Sequence, residues 1–194
     1  MSHVVYTSLT NPDDGDPIGF AVDHRETEAL IKQTGIPHTI LRNCLYADLL
    51  LSSGQQAIGA GTLYAAAGDG KAGYVTRTDH ARAAAAAVLT ETGSTLRDIT
   101  GLEAVSQAEI AAILSEVAGK KIPYVPITRD ALVEVMKENG LPEFVADVFS
   151  SFDVAIAKGY LDVASDDVDA LTGQKAQSVR DFLLANRPGL TGQA

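Results

Sequence analysis

The sequence predicts an α/β protein in which a parallel sheet of about three strands is joined to a smaller, mostly helical second part. Three observations lead there. Residues His3-Val4-Val5-Tyr6-Thr7-Ser8-Leu9 are a short apolar run rich in β-branched side chains, the kind of strand that parallel sheets cover on both faces. A helical pattern and a second such run follow directly, the order of a βαβ unit. Beyond Gly93 the strand-like runs shorten and helical spacing takes over.

The elements follow in chain order. The strand 3–9 ends in hydroxyl residues and a Pro/Asp/Gly loop from Asn11 to Pro17, and such a strand belongs in the middle of a sheet. Asp23 to Thr34 spaces Ala29, Leu30 and Ile31 among charged residues as a helix does, and Gly35 stops it. Ile36 to Arg42 reads as a second buried strand, with Pro37 tolerated at its start. A helix is expected from about Leu45 to Ala57. Asp69-Gly70, between Leu63–Ala66 and Tyr74–Thr76, signals a hairpin or a tight loop. Thr78-Asp79 is placed to cap an alanine-rich helix running to about Thr90. Leu96 to Thr100 is a short strand, Ser106 to Glu109 has capping-box spacing, and Ile122 to Ile127 is extended between prolines. Helices are then expected over 128–139, 142–158, 166–171 and 175–185. A soft boundary at residues 93–105 separates a sheet-building part, 1–95, from a cap, 96–194, the two sharing an interface and some strands.

Composition bounds the function classes. The 194 residues are 46% hydrophobic and 21% charged, enough apolar material for one good-sized core with a small appended unit. A net charge of −10, with only 15 lysines and arginines, argues against nucleic acid and against an anionic membrane as partners. No apolar run approaches the ~20 residues that span a bilayer, and the N-terminus has no signal-peptide profile, so cytosol is the expected compartment. The single cysteine, Cys44, fits a reducing compartment and reads as a small packing residue.

Several chemistries are missing as motifs. No Gly-x-Gly-x-x-Gly opens a helix after a strand, since Gly59-Ala60-Gly61 leads into a strand instead. There is no P-loop and no Gly-x-Ser-x-Gly elbow. The four histidines are too scattered for a helical metal pair, and no metal is expected. The acidic loop 11–16 lacks the alternating ligands of a calcium loop. What remains is positional, because open parallel sheets bind ligands beyond the carboxyl ends of their strands. Thr7 and Ser8 after the first strand, and Arg42, Asn43 and Tyr46 after the second, converge there, and His24 leads the helix leaving the first loop.

These residues carry a resemblance. The stretches 3–9, 17–28 (Pro-Ile-Gly-Phe-Ala-Val-Asp-His-Arg-Glu-Thr-Glu), 39–46 (Thr-Ile-Leu-Arg-Asn-Cys-Leu-Tyr), 65–71 and 76–84 together resemble the NmrA-like atypical short-chain dehydrogenase/reductases. Within them the likeness is to the NAD(P)H:quinone oxidoreductase type 2 and triphenylmethane reductase group. The resemblance implies that residues 1–95 are the C-terminal part of a Rossmann domain and 96–194 a small α+β substrate domain. It implies NADP(H) as cofactor and hydride transfer to quinones or other flat aromatic acceptors without a Tyr-x-x-x-Lys. By the same carry-over, Tyr6, Thr7, Ser8, Arg42, Asn43, Leu45 and Tyr46 line the nicotinamide end. Ile18, Phe20 and Tyr46 are walls for the acceptor, and Ser8, His24 or Asn43 serves its developing oxyanion. The likeness starts at what would be the fifth sheet strand, so the glycine-rich phosphate turn is expected to lie outside this chain and the reductase to be incomplete within it. The exposed strand 3–9 would then recruit a second copy or a complementing chain. The alternatives are a non-catalytic redox-sensing or protein-binding module of the same family and, more remotely, a sugar epimerase.

Overall fold

A computed structural model describes residues 2–192. Its central sheet is parallel and three-stranded, in the order β1 (Val4–Leu9), β2 (His38–Asn43), β5 (Thr95–Ile99). Val4 stands opposite His38 and Leu9 opposite Asn43, while Thr39 to Asn43 face Thr95 to Ile99. The two-faced burial expected of strand 3–9 belongs instead to β2, where Thr39, Ile40 and Leu41 have no exposed surface. β2 has a neighbour on each side, whereas β1 lies at the edge, with Val4 to Tyr6 half-buried and Thr7 exposed.

α1 (Ala21–Gln33) joins β1 to β2 and ends before Gly35, whose φ of +69° no side chain adopts cheaply. α2 (Leu49–Ala60) begins later than the apolar pattern suggests. The intervening residues make a bridge instead: Ala47 N–H donates to Val75 O at 2.9 Å and Val75 N–H to Leu45 O at 3.1 Å. β3 (Leu63–Ala65) and β4 (Lys71–Ala72) do not form a hairpin. β3 pairs in parallel with β7 (Tyr124–Pro126) and β4 antiparallel with β6 (Val105–Ser106), so Asp69-Gly70 is a tight turn closed by Gly70 N–H on Ala67 O at 3.0 Å.

α3 (Arg77–Thr90) is capped by Thr76 rather than by Thr78-Asp79. The Thr76 hydroxyl accepts from the Asp79 amide at 3.0 Å and donates to Asp79 Oδ2 at 2.9 Å. α4 (Gln107–Ala118) carries the expected capping box between Ser106 and Glu109. α5 (Arg129–Glu138) and α6 (Glu143–Ala157) pack on each other, α7 (Asp167–Thr172) lies against α3 and β5, and α8 (Val179–Ala185) lies against α4. A last short helix, α9 (Arg187–Thr191), packs on α2 and is not signalled by periodicity in the sequence. One continuous apolar core runs from Leu9 and Leu41 through Leu114 to Leu183.

Candidate functional site

The carboxyl ends of β1 and β2 are organised by a residue that sequence reasoning passed over. Glu28, on α1, is 2% exposed. It accepts from the Ser8 hydroxyl at 2.7 Å and, through both oxygens, from Arg42 Nε and Nη2 at 2.9 Å each. Burial alone would raise the Glu28 pKa, but the hydrogen bonds from Arg42 and Ser8 outweigh it and hold the carboxyl below its ordinary range. Arg42 and Glu28 thus form an ion pair, to which the Ser8 hydroxyl adds a hydrogen bond. Thr7 is exposed beside them, and the Asn43 backbone carbonyl accepts from Thr10 N–H at 3.1 Å.

His24 and Tyr6 meet on the inner side of α1, with Tyr6 Oη 2.8 Å from His24 Nδ1. Burial lowers the His24 pKa despite the nearby Glu28 and Asp23 charges. From His24 a chain of edge-on rings leads to the second part of the molecule. His24 and Phe20 centroids are 6.0 Å apart, Phe20 and Phe152 6.1 Å, and Phe152 and Phe149 5.8 Å. These spacings suit favourable ring–ring contact. Ile18 is 1% exposed and belongs to the core, whereas Phe20 keeps 37% of its surface.

The ring chain ends at a cavity of about 130 Å³ between α2, β3, α5 and α6. Phe149, Phe152, Tyr64 and Met136 line it, and Leu45, from the loop after β2, is the one residue of the expected cofactor set that reaches it. Ser53, Tyr74, Gln107 and Asp153 also face the cavity. Tyr74 accepts at its hydroxyl from Gln107 Nε2 at 3.1 Å, and Asp153 accepts at Oδ2 from Ala66 N–H at 2.6 Å. Burial pushes the Asp153 carboxyl up to about 6. A larger cavity of about 270 Å³ lies beneath Gly101 to Glu103, just after β5, and Ala176 to Val179, but none of the expected site residues lines it.

Tyr46 does not join the cavity. Its half-exposed ring stands edge-on to His80 at 4.8 Å, with the Arg77 guanidinium 5.0 Å from its centroid. Burial lowers His80 to about 4, against the pull of the Cys44 carbonyl and of Asp79 and Asp48. Cys44 is 3% exposed and its thiol is pushed up to about 11, which suits a packing residue and not a nucleophile.

Two missed residues had a signal in the sequence. Glu28 falls one helical repeat of seven after Ala21, the other buried position of α1. Asp153 lies on the stripe Phe149, Phe152, Ile156 of α6, a carboxylate among apolar residues at helical spacing. Among the described residues, no three His, Cys, Asp or Glu side chains cluster as metal ligands, and no helix is long and apolar enough to cross a membrane.

No protein-family model matches the chain. Quinone oxidoreductase 2 of Escherichia coli (strain K12) is 34% identical over 183 residues, which are 93% of this chain and 63% of that protein. The solved structure of an Escherichia coli NADPH-dependent quinone oxidoreductase complexed with NADPH aligns with a TM-score of 0.86 at 33% identity, over 94% of this chain and 65% of that one. Citrobacter sp. triphenylmethane reductase, complexed with NADP(H), aligns with a TM-score of 0.86 at 28% identity, over 100% of this chain and 66% of that one. The chain thus spans less than two thirds of the length of the quinone oxidoreductase it matches. With its parallel sheet, its small helical second part and these relatives, the chain is a homologue of quinone oxidoreductase 2 and triphenylmethane reductase, in keeping with the resemblance of its sequence to the NmrA-like atypical short-chain dehydrogenase/reductases.

Proposed function

We propose that this chain forms the acceptor-binding portion of an NAD(P)H-dependent reductase that passes hydride to quinones or related flat aromatic acceptors. The observation that carries the reading is the cavity ringed by Phe149, Phe152 and Tyr64, which Leu45 links to the carboxyl end of β2, in a chain whose relatives bear such names. Residues 1–95 supply the cofactor-facing strand ends and residues 96–194 the acceptor-facing helices, with β3–β7 and β2–β5 pairing across that division.

The donor set fits one end of the dinucleotide. The exposed Thr7 hydroxyl and the half-buried Asn43 suit a nicotinamide carboxamide. The phosphates find no match here, because Arg42 is bound to Glu28 and no glycine-rich turn precedes a helix after β1 or β2 among the described residues. A reduced nicotinamide, when bound, supplies a hydride. The chain's own residues stack the acceptor, exclude water and hold its oxygens. Phe152 serves as a wall backed by Phe20, with Tyr6 and Tyr46 shaping the cofactor side.

Titration with menadione tests this directly, because the protein has no tryptophan and Tyr64 and Tyr74 report on the cavity by emission quenching. Saturable quenching is expected, weakened about tenfold in Phe152→Ala through loss of one ring contact. Menadione that fails to saturate, or binds equally to Phe152→Ala, overturns the proposal.

A second reading, a non-catalytic module that binds a protein partner, is favoured by one feature: among the described residues, β1 has a neighbour on one side only. On this reading a second copy or a complementing chain adds a strand to β1. Sedimentation of a salt-insensitive oligomer without menadione binding would support it.

A further inference from the structure

We propose that Asp153, in its acid form, is the group that donates a hydrogen bond and then a proton to the carbonyl oxygen of an acceptor seated in the Phe149–Phe152 cavity. The proposal rests on the reading of that cavity as the acceptor site, and it assigns a role that strand-end reasoning gave to Ser8, His24 or Asn43.

Geometry comes first. Asp153 lines the cavity from α6, and the Ala66 amide fixes its Oδ2 at 2.6 Å. Oδ1 has no hydrogen-bond partner among the described residues and is not sealed from the cavity. The groups around it offer no counter-charge. α5 contributes Leu132 and Met136, α2 contributes Leu49, Leu50 and Ser53, and β3 contributes Tyr64. Tyr74 accepts from Gln107 and is a neutral phenol, and the nearby Asp153 and Asp69 charges both push the Tyr124 pKa up, so the surroundings of Asp153 are anionic or neutral. No lysine, arginine or histidine lines the cavity. An anion there has little to stabilise it, so the carboxyl holds its proton to higher pH than an ordinary aspartate. A neutral carboxyl is a hydrogen-bond donor, which a carboxylate is not.

The other three donors are less suited. Ser8 already gives its proton to Glu28, and His24 already shares one with Tyr6. Asn43 is absent from the cavity lining. In the reaction a hydride supplied by a reduced nicotinamide would bond to one carbonyl oxygen of the quinone as the nicotinamide C–H bond breaks, and the electron pair passing through the ring leaves negative charge on the other carbonyl oxygen. The Asp153 O–H bond breaks, a new O–H bond forms on that oxygen, and the carboxylate regains a proton from solvent through the cavity mouth. Electrons and protons then balance for conversion of quinone to hydroquinone.

The test needs binding alone. The full chain is titrated with menadione at about pH 5 and about pH 8, alongside Asp153→Asn, which keeps an oxygen for the Ala66 amide and a permanently neutral donor. Naphthalene, flat but without a carbonyl, is the control. Wild type is expected to bind menadione about tenfold tighter at the lower pH, the worth of one hydrogen bond, while Asp153→Asn binds with the tighter affinity at both. Naphthalene binding should be indifferent to pH in both proteins. A menadione affinity that ignores pH in wild type overturns the role of Asp153 and leaves the cavity reading standing. A pH dependence that persists in Asp153→Asn assigns the effect to another group and also overturns it. Failure of both menadione and naphthalene to bind overturns the cavity reading together with the role of Asp153.

Discussion

Glu28 shows how a single side chain can decide what its neighbours are free to do. Ser8 and Arg42 stand at the strand ends where ligands bind, yet both are held by this 2%-exposed carboxylate. Removing it strands a guanidinium and a hydroxyl that lose their partner. Glu28→Ala is expected to lower stability by about 3 kcal/mol, the low end for breaking a buried pair, because Arg42 retains some access to water. Urea denaturation gives this number. An effect within ~0.5 kcal/mol would mean that the pair is no more than a surface salt bridge. At this scale the sequence was partly legible: the residues at the strand ends could be named from position, but whether they were free could not, since that depends on a partner 14 to 20 residues away along the chain.

At the scale of elements, turns and caps set where the second part of the molecule docks. The turn at Asp69-Gly70 runs against the end of α6, so closely that a Cβ on Gly70 would meet the Ile156 carbonyl oxygen at 2.1 Å and its carbon at 2.6 Å. Backbone cannot move aside as a side chain can. Gly70→Ala is therefore expected to cost about 3 kcal/mol, the upper end for overpacking, and to loosen α6, which carries Phe149, Phe152 and Asp153. Ser106→Ala is the contrasting case. It removes an exposed capping box and should cost only about 1 kcal/mol, without effect on the cavity. Thermal denaturation followed by circular dichroism separates the two, and equal losses would refute the argument for Gly70. The capping box could be read from residue spacing, since its geometry is local. The hairpin alternative at Asp69-Gly70 failed because β3 and β4 found better partners in β7 and β6, far along the chain.

For the whole molecule, two buried groups make opposite contributions to stability over one pH range. His80, lowered to about 4, stays neutral in the fold while the unfolded chain takes up a proton, so its contribution falls as pH drops from about 6.5 towards 4. His24 acts in the same direction. Asp153, raised to about 6, keeps its proton in the fold while the unfolded chain has released it, so stability falls as pH rises from about 4 to 6. Wild type should consequently show a shallow profile between these limits. Asp153→Asn removes one side of the balance. Its stability should match wild type near pH 4 and exceed it by about 3 kcal/mol above pH 7, a shift of roughly two pKa units expressed as free energy. Denaturant midpoints measured across the range check this, and a constant difference between the two proteins at every pH would contradict it. A group that costs stability while facing a cavity is the pattern expected of a functional residue.

By itself, the sequence determined the class of the fold, the parallel βαβ unit, the helices over 128–185 and the family, because apolar periodicity, caps and five ordered segments are properties of neighbouring residues. It also marked the strand ends as the place where a cofactor would lie. Only the tertiary structure decided that Ser8 and Arg42 are bound by Glu28, and that the aromatic cavity with Asp153 lies under α6 rather than at the strand ends alone. The reason is physical. Burial, ion pairing and the loss of water around a carboxylate arise from contacts between segments far apart in the chain, and no local pattern of residue types carries that information.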